Sequence, residues 1–251
     1  MKPRFLLMAV VLATALQAQI TEVPETIAPG SFLIKMDAIS VSTAPDQPGG
    51  GRYTALALAK TFLTTGLTSD LDVQVGAQLY LSEKVDSGGF SDRHSGIGDV
   101  FFRVKWRFYD NQETGTTIAV MPYVNLPTHS LATGPKATEG GLIVPWASQL
   151  AGWGRLTAMA EWDLVRNDAD NGYDSRWYGS AALVRPLTGS LGIYGEVTAA
   201  KTSGGDPWAG QMGVGATLAV SRLFSWDYAL YRGISSGAPG WNSVLRANWR
   251  F

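Results

Sequence analysis

Hydrophobic and polar positions alternate along the chain from residue 32 onward, in segments of about ten residues, the length of a tilted transmembrane strand. In residues 70–81, apolar side chains take the odd positions from Leu71 to Leu81, and mostly polar residues take the even positions from Asp72 to Tyr80. A period of two predicts a β-strand whose two faces meet different environments. No segment after residue 31 has a convincing helical period, so the pattern predicts an all-β protein.

Clusters of Gly, Asp, Asn, Ser and Pro separate these segments, and the connections alternate between long and short. The predicted strands are residues 32–41, 53–64, 70–81, 98–109, 117–126, 141–150, 156–164, 176–184, 191–199, 208–220, 223–232 and 242–251. The long connections include residues 43–51, 82–96 and 128–140, and the short ones include residues 66–70, 151–154 and 187–190. Such alternation is typical of a barrel with long outer loops, short inner turns and both chain ends in the periplasm. The predicted fold class is a transmembrane antiparallel up-and-down β-barrel of about 12 strands.

The composition supports a membrane barrel and excludes several other classes of protein. Charged residues make up only 16% of the 251 residues, below the roughly 25% that is usual in soluble proteins. No apolar run of about 20 residues occurs beyond the N-terminus, which excludes a helical span and leaves the closed barrel as the membrane-spanning option. A net charge of -1 without a basic stripe argues against a nucleic-acid partner. The chain has no cysteine, so disulfides and thiolate metal sites are excluded, and no motif indicates a metal ion or a cofactor.

The first residues have the pattern of a secretion signal. Lys2 and Arg4 precede an apolar stretch over residues 5–16, and Ala18 supplies a small residue of the kind that signal peptidase requires at its cleavage site. The apolar stretch is too short for a membrane anchor. We expect residues 1–18 to be a signal peptide, residues 19–31 to be a periplasmic N-terminal segment, and residues 32–251 to form a barrel in the bacterial outer membrane.

The last strand carries the most specific signal in the sequence. Trp249 and Phe251 end an alternating strand, and a terminal Phe in that position resembles the signal read by the barrel assembly machinery. The expected partners are therefore this machinery during insertion, outer-membrane lipid afterwards, and a small-molecule solute. The protein is expected to be a monomer.

Strand parity assigns a set of polar and aromatic side chains to the interior of the barrel. The candidate lumen-lining residues are Asp72, Tyr80, Arg103, Lys105, Arg107, Tyr123, Arg155, Glu161, Asp163, Tyr194, Glu196, Asp227, Arg246 and Arg250. Two interpretations remain open. The charges line a polar channel, in which the run Arg103, Lys105 and Arg107 would favour anions, or they pair across the strands and fill a plugged structural barrel.

An outer-membrane lipid-modifying enzyme is a third and weaker hypothesis. The two histidines, His94 and His129, both fall in predicted outer loops. His94 is followed by Ser95, but adjacent strand residues point to opposite faces and cannot act as nucleophile and base for each other. The sequence therefore offers no catalytic residue, and we do not expect an enzyme.

Two short motifs border the predicted strands 98–109 and 117–126. Residues 95–100 read Ser-Gly-Ile-Gly-Asp-Val, and residues 125–128 read Asn-Leu-Pro-Thr, with Thr133 and Gly134 a few residues later. The first resembles the G-x-GD segment, and the second the L-P-T-G stretch, interrupted here by an insertion, of a family of outer-membrane transporters associated with a MetA-like pathway of phenol degradation. The resemblance implies a barrel that carries aromatic or other small organic compounds across the outer membrane.

Overall fold

The computed structural model of the protein describes residues 20–43, 52–87, 90–130, 136–167, 169, 171–204 and 207–251. No helix in this part of the chain is long and apolar enough to cross a membrane. The strands are β1 (Phe32–Thr43), β2 (Arg52–Gly66), β3 (Leu71–Ser87), β4 (Phe90–Gly96), β5 (Val100–Asn111), β6 (Thr116–Leu126), β7 (Glu139–Leu150), β8 (Gly154–Arg166), β9 (Tyr173–Pro186), β10 (Leu191–Thr202), β11 (Ala209–Ala219), β12 (Phe224–Gly233) and β13 (Trp241–Arg250).

The strands close into one antiparallel barrel. β1 pairs with β2 on one side and with β13 on the other, so the first and last strands seal the sheet. β3 pairs with β5 along its inner half and with β4 along its outer half. β4 and β5 are therefore one barrel strand interrupted at residues 97–99, and the barrel has 12 strands. The predicted fold class is confirmed.

Each predicted strand coincides with an observed one, but one predicted loop is wrong. Residues 82–96 form most of a hairpin, in which the outer half of β3 pairs with β4 from Leu81 opposite Gly96 to Ser87 opposite Phe90. Apolar residues are sparse in this stretch, so the alternation that marks the other strands is weak. The hairpin extends past the point where β5 begins to pair with β6, and strand pairing there needs no lipid-facing apolar stripe.

The outer face of the barrel is apolar, and aromatic side chains gather near both ends. On β5, Phe102, Val104 and Trp106 are exposed on the outside, whereas Lys105 is buried on the inside. Trp106 and Phe108 contact each other near the inner end of β5, and Trp162 and Trp177 do so near the outer ends of β8 and β9. Other aromatic residues at the inner ends are Phe224, Trp226 and Trp249. An apolar band between aromatic girdles places the protein in the bacterial outer membrane.

Candidate functional site

The segment that precedes the first strand lies inside the barrel. Residues 20–31 were expected in the periplasm, but they enter the lumen from its inner end. At the entrance, Gly30 donates a backbone hydrogen bond of 2.9 Å to the carbonyl of Gly66, and the hydroxyl of Thr26 donates one of 2.6 Å to the carbonyl of Ser69. The segment has no strand partner along most of its length, and side chains of the wall bond to several of its backbone groups instead.

The deep end of this segment is held by Glu196 on β10. The carboxylate of Glu196 accepts hydrogen bonds from the backbone N–H groups of Ile20 at 3.0 Å and Thr21 at 2.6 Å. It also accepts one from the hydroxyl of Thr21 and one from that of Tyr231, both at 2.5 Å. The hydroxyl of Thr21 is 2.7 Å from that of Ser180. Hydrogen bonds to a buried carboxylate are among the stronger ones in proteins, so Glu196 fixes the position of the segment.

The two acidic residues of the segment face different parts of the wall. Glu22 lies 2.9 Å from the guanidinium of Arg103 and 3.8 Å from the ammonium of Lys35. Glu25 pairs with Arg155 on β8. Lys105 donates hydrogen bonds to backbone carbonyls of the segment, at 2.8 Å to Val23 and 3.2 Å to Glu25. Three cations of the wall, Lys35, Arg103 and Arg155, are therefore paired with carboxylates that do not belong to the wall.

Several other predicted lumen residues pair with one another. Tyr123 donates a hydrogen bond of 2.6 Å to Asp163, which also binds Arg176 at 2.9 Å, and the hydroxyl of Tyr123 is 3.4 Å from Glu161. The hydroxyl of Tyr194 is 3.4 Å from Asp227.

Further predicted residues lie near the seam or the ends of the barrel. Arg246 binds Asp37 across the β13–β1 seam at 2.5 Å. Arg107 forms ion pairs with Asp70 and Asp110 at the inner mouth of the barrel rather than with an acidic residue of the N-terminal segment. Tyr80 lies in the outer half of β3.

A cavity of about 260 Å3 lies between the N-terminal segment and the wall. Its polar lining includes the predicted residues Asp72, Lys105 and Arg250, together with Lys35. Asp72 accepts a hydrogen bond of 3.2 Å from the backbone N–H of Ile27. The Nε atom of Arg250 is buried without a hydrogen-bond partner among the residues that the structure describes. The lumen is thus partly filled and retains room beside the segment.

The wall carries an aromatic and cationic cluster, in which Arg103 and Tyr123 were predicted lumen residues. Its other members, Lys60, Phe62 and Phe101, were not predicted from the sequence. The rings of Phe62 and Phe101 lie 6.0 Å apart, with the ammonium of Lys60 5.6 Å from the first and 5.3 Å from the second. The guanidinium of Arg103 is 4.5 Å from the ring of Phe62 and 5.7 Å from that of Tyr123. The faces of β2 were hard to assign because apolar and polar residues alternate poorly along it. The sequence did contain one indication, because residues two apart in a strand, such as Lys60 and Phe62, lie on the same face.

The two family-like motifs meet at the outer end of the β5–β6 pair. Asp99, from the first motif, accepts hydrogen bonds from the side chain of Asn125 at 3.1 Å and from the backbone N–H of His129 at 3.0 Å. The Nδ1 atom of His129 lies 2.7 Å from the same carboxylate. Residues 131–135, including Thr133 and Gly134, lie outside the described part of the chain. His94 lies on β4, exposed, 3.1 Å from Asp92.

Solved structures similar to this chain are outer-membrane barrels. An outer-membrane channel from Pseudomonas putida F1 superposes with a TM-score of 0.71 at 13% identity, covering 91% of this chain and 98% of that one. The translocator domain of the autotransporter NalP from Neisseria meningitidis superposes with a TM-score of 0.58 at 12% identity, covering 91% of each chain. The β domain of the Bordetella autotransporter BrkA superposes with a TM-score of 0.54 at 12% identity, covering 90% of this chain and 100% of that one. At these identities the likeness shows the fold alone.

Sequence comparison identifies the family to which the chain belongs. No curated protein matches the chain at a significant level. A protein family does match it over residues 19–251, which is nearly the whole chain and includes the two motifs that meet at Asp99. The chain belongs to the family described as "Putative MetA-pathway of phenol degradation".

Proposed function

We propose that the protein is an outer-membrane channel for small organic compounds, with aromatic compounds as the favoured class. The observation that carries this proposal is a polar lumen filled by a separable segment rather than by the wall itself. Residues 20–31 are held by side-chain contacts and by a few backbone bonds at the entrance, so they can shift without breaking the pairing of the barrel strands.

The size and lining of the lumen support the aromatic class. Cavities of about 150 Å3 in proteins are large enough to hold benzene, and the cavity beside the segment measures about 260 Å3. Phe62, Phe101 and Tyr123 offer ring surfaces on the neighbouring wall. The Pseudomonas putida structure is described as an outer-membrane channel, and the family description refers to phenol degradation.

A reversible lock on the segment tests whether solutes pass through the lumen. The chain has no cysteine, so Thr21→Cys with Ser180→Cys introduces a single thiol pair, and the native hydroxyl oxygens at these positions are 2.7 Å apart. Sulfur atoms that replaced these hydroxyl oxygens would lie near the bond distance of a disulfide, about 2.05 Å. The purified double variant is reconstituted into liposomes, and swelling is measured in L-phenylalanine and in L-serine, first oxidised and then reduced. The Thr21→Cys single variant, treated in the same way, is the control.

We expect wild-type liposomes to swell in both solutes. The oxidised double variant should swell much more slowly, and reduction should restore its rate. Equal swelling before and after reduction, with the disulfide shown to form, would mean that solutes do not pass along this segment. Wild-type liposomes that never swell would overturn the channel and favour the alternative of a plugged structural barrel.

A further inference from the structure

Glu22 occupies its position in the lumen as a tethered ligand would. Its carboxylate is contributed by the N-terminal segment, whereas the two cations that contact it, Lys35 on β1 and Arg103 on β5, belong to the wall. All three side chains are at most one-fifth exposed. If the segment moved without a replacement anion, two cations would remain close together in a confined space. A wall built in this way favours another carboxylate when Glu22 leaves.

Arg103 has donors to spare for such a ligand. Its Nη1 atom donates to Glu22 at 2.9 Å and lies 3.4 Å from the side-chain oxygen of Gln74. Its Nε atom is buried and has no hydrogen-bond partner among the described residues. A guanidinium carries five N–H donors in a planar fork that matches both oxygens of a carboxylate. The single contact to Glu22 therefore uses only part of the capacity of Arg103.

Two aromatic rings lie close to the same guanidinium. Arg103 lies over the ring of Phe62 and 5.7 Å from the ring of Tyr123, and Phe101 packs against Phe62. Gly76 on β3 makes this arrangement possible, because a Cβ atom at that position would lie 2.3 Å from the Phe62 ring. Phe62 therefore leans across the wall beside the cation. Rings next to a guanidinium favour a ligand that has its own ring beside its carboxylate.

The neighbouring cavity supplies room for the ring of a ligand. Lys35 and Gln74 both line it, and both also contact the Glu22 and Arg103 pair. A ligand that replaced the Glu22 carboxylate would thus border a space of about 260 Å3.

We propose that Lys35, Arg103, Phe62, Phe101 and Tyr123 form a binding site for small aromatic carboxylates, which the side chain of Glu22 occupies in the resting protein. This inference rests on the proposed channel function and narrows its substrate class. The bound acid competes with Glu22, so its binding and the displacement of the segment are coupled.

Equilibrium binding of benzoate to the detergent-solubilised protein tests the site. Isothermal titration calorimetry compares the wild type with Glu22→Gln, which removes the tethered carboxylate. Since a short tether holds its group at an effective concentration in the millimolar range, we expect Glu22→Gln to tighten benzoate binding by about tenfold. Glu22 lies before the first strand, so this variant leaves the strands of the barrel unaltered.

Two matched variants separate a specific site from general loosening of the segment. Glu25→Gln removes the same charge from the same segment, but opposite Arg155, and should tighten benzoate binding much less. Arg103→Gln should abolish binding, whereas Arg155→Gln should retain it. Heat-modifiable gel mobility checks that both arginine variants fold. Equal effects of Glu22→Gln and Glu25→Gln, or equal losses from the two arginine variants, would overturn the proposal.

Two comparison ligands test the assigned chemistry. Phenol has the ring without the carboxylate, and acetate has the carboxylate without the ring, so neither should gain affinity as benzoate does in Glu22→Gln. An equal gain in affinity for phenol would show that the site does not recognise the carboxylate, and an equal gain for acetate would show that it does not recognise the ring. These measurements do not depend on transport. Swelling without benzoate binding would refute only the site, and benzoate binding without swelling would refute only the channel.

Discussion

Ala59 on β2 has a φ angle of 52°, and it is the one non-glycine residue with a positive φ in the described part of the chain. An L-residue in this region costs about 1–2 kcal/mol relative to glycine. Replacing Ala59 with glycine would relieve this strain, but part of the gain in stability is offset because glycine has more conformational freedom in the unfolded chain. We expect Ala59→Gly to raise the free energy of unfolding by about 0.5–1 kcal/mol. Urea unfolding in detergent micelles measures it, and a loss of stability would contradict the assigned backbone strain.

Glu196 accepts four hydrogen bonds, three of them from Ile20 and Thr21. The variant Glu196→Gln keeps the shape of the side chain but removes the charge, which weakens bonds worth about 1.5–3 kcal/mol each. The fraction of molecules with the segment displaced should rise about tenfold or more.

Single-channel recording measures this fraction as the open probability. Glu83→Gln is the matched control, because Glu83 bonds to Tyr53 on the outer part of β2, whereas residues 20–31 enter the lumen from its inner end. An equal open probability in wild type and Glu196→Gln would show that Glu196 does not hold the segment.

Among the elements, strands with an unbroken alternation could be predicted from the sequence, because each residue's parity assigns it to lipid or lumen. Residues 71–81 of β3 and 100–107 of β5 are of this kind, with Asp72 and Lys105 buried inside. The alternation of apolar and polar residues is less distinct along β1, because this strand contains a bulge. Its register against β13 shifts between Asp37 and Ile39, so Lys35 and Asp37 face inward while Ile39 is exposed on the outside.

The contents of the lumen could be predicted only in part. Parity indicates that a charged residue faces inward, but its partner depends on the register between strands far apart in sequence, as for Arg246 and Asp37. The N-terminal segment has no alternation because it pairs with no strand along most of its length, so neither Glu22 nor Thr21 could be placed in advance. Its location depends on tertiary contacts that a local pattern does not contain.

The connection between β6 and β7 is fastened to the barrel through Asp99, which bonds Asn125 and His129. Ser130 adds a backbone hydrogen bond of 3.1 Å to the carbonyl of Ile97. Asp99→Asn should release this connection while the barrel stays folded, since Asp99 lies between β4 and β5 rather than in a strand. We expect faster trypsin cleavage after Lys136, detected by mass spectrometry. The variant His94→Asn, on the exposed β4, is the control, and equal cleavage in the two variants would contradict this role of Asp99.

For the whole molecule, the N-terminal segment adds negative charge to the lumen as well as occupying part of its volume. Residues 20–31 contain two acidic residues, Glu22 and Glu25, and no lysine or arginine. Their removal would leave Lys35, Arg103 and Arg155 in the wall without the carboxylates that pair with them. The empty lumen would therefore be more cationic than the filled one and would concentrate anions.

Deleting residues 20–28 should therefore change both conductance and ion selectivity. Residues 29–31 are kept so that the bridge between Pro29 and Gly66 of β2 is retained. We expect a larger single-channel conductance and a reversal potential in a potassium chloride gradient that shifts toward chloride. The double variant Glu22→Gln and Glu25→Gln removes the same two charges but keeps the segment, so it should gain chloride selectivity with much less conductance. If the deletion left the conductance at the wild-type value, residues 20–28 would not be what narrows the lumen, because the pore would then conduct along a route that they do not occupy.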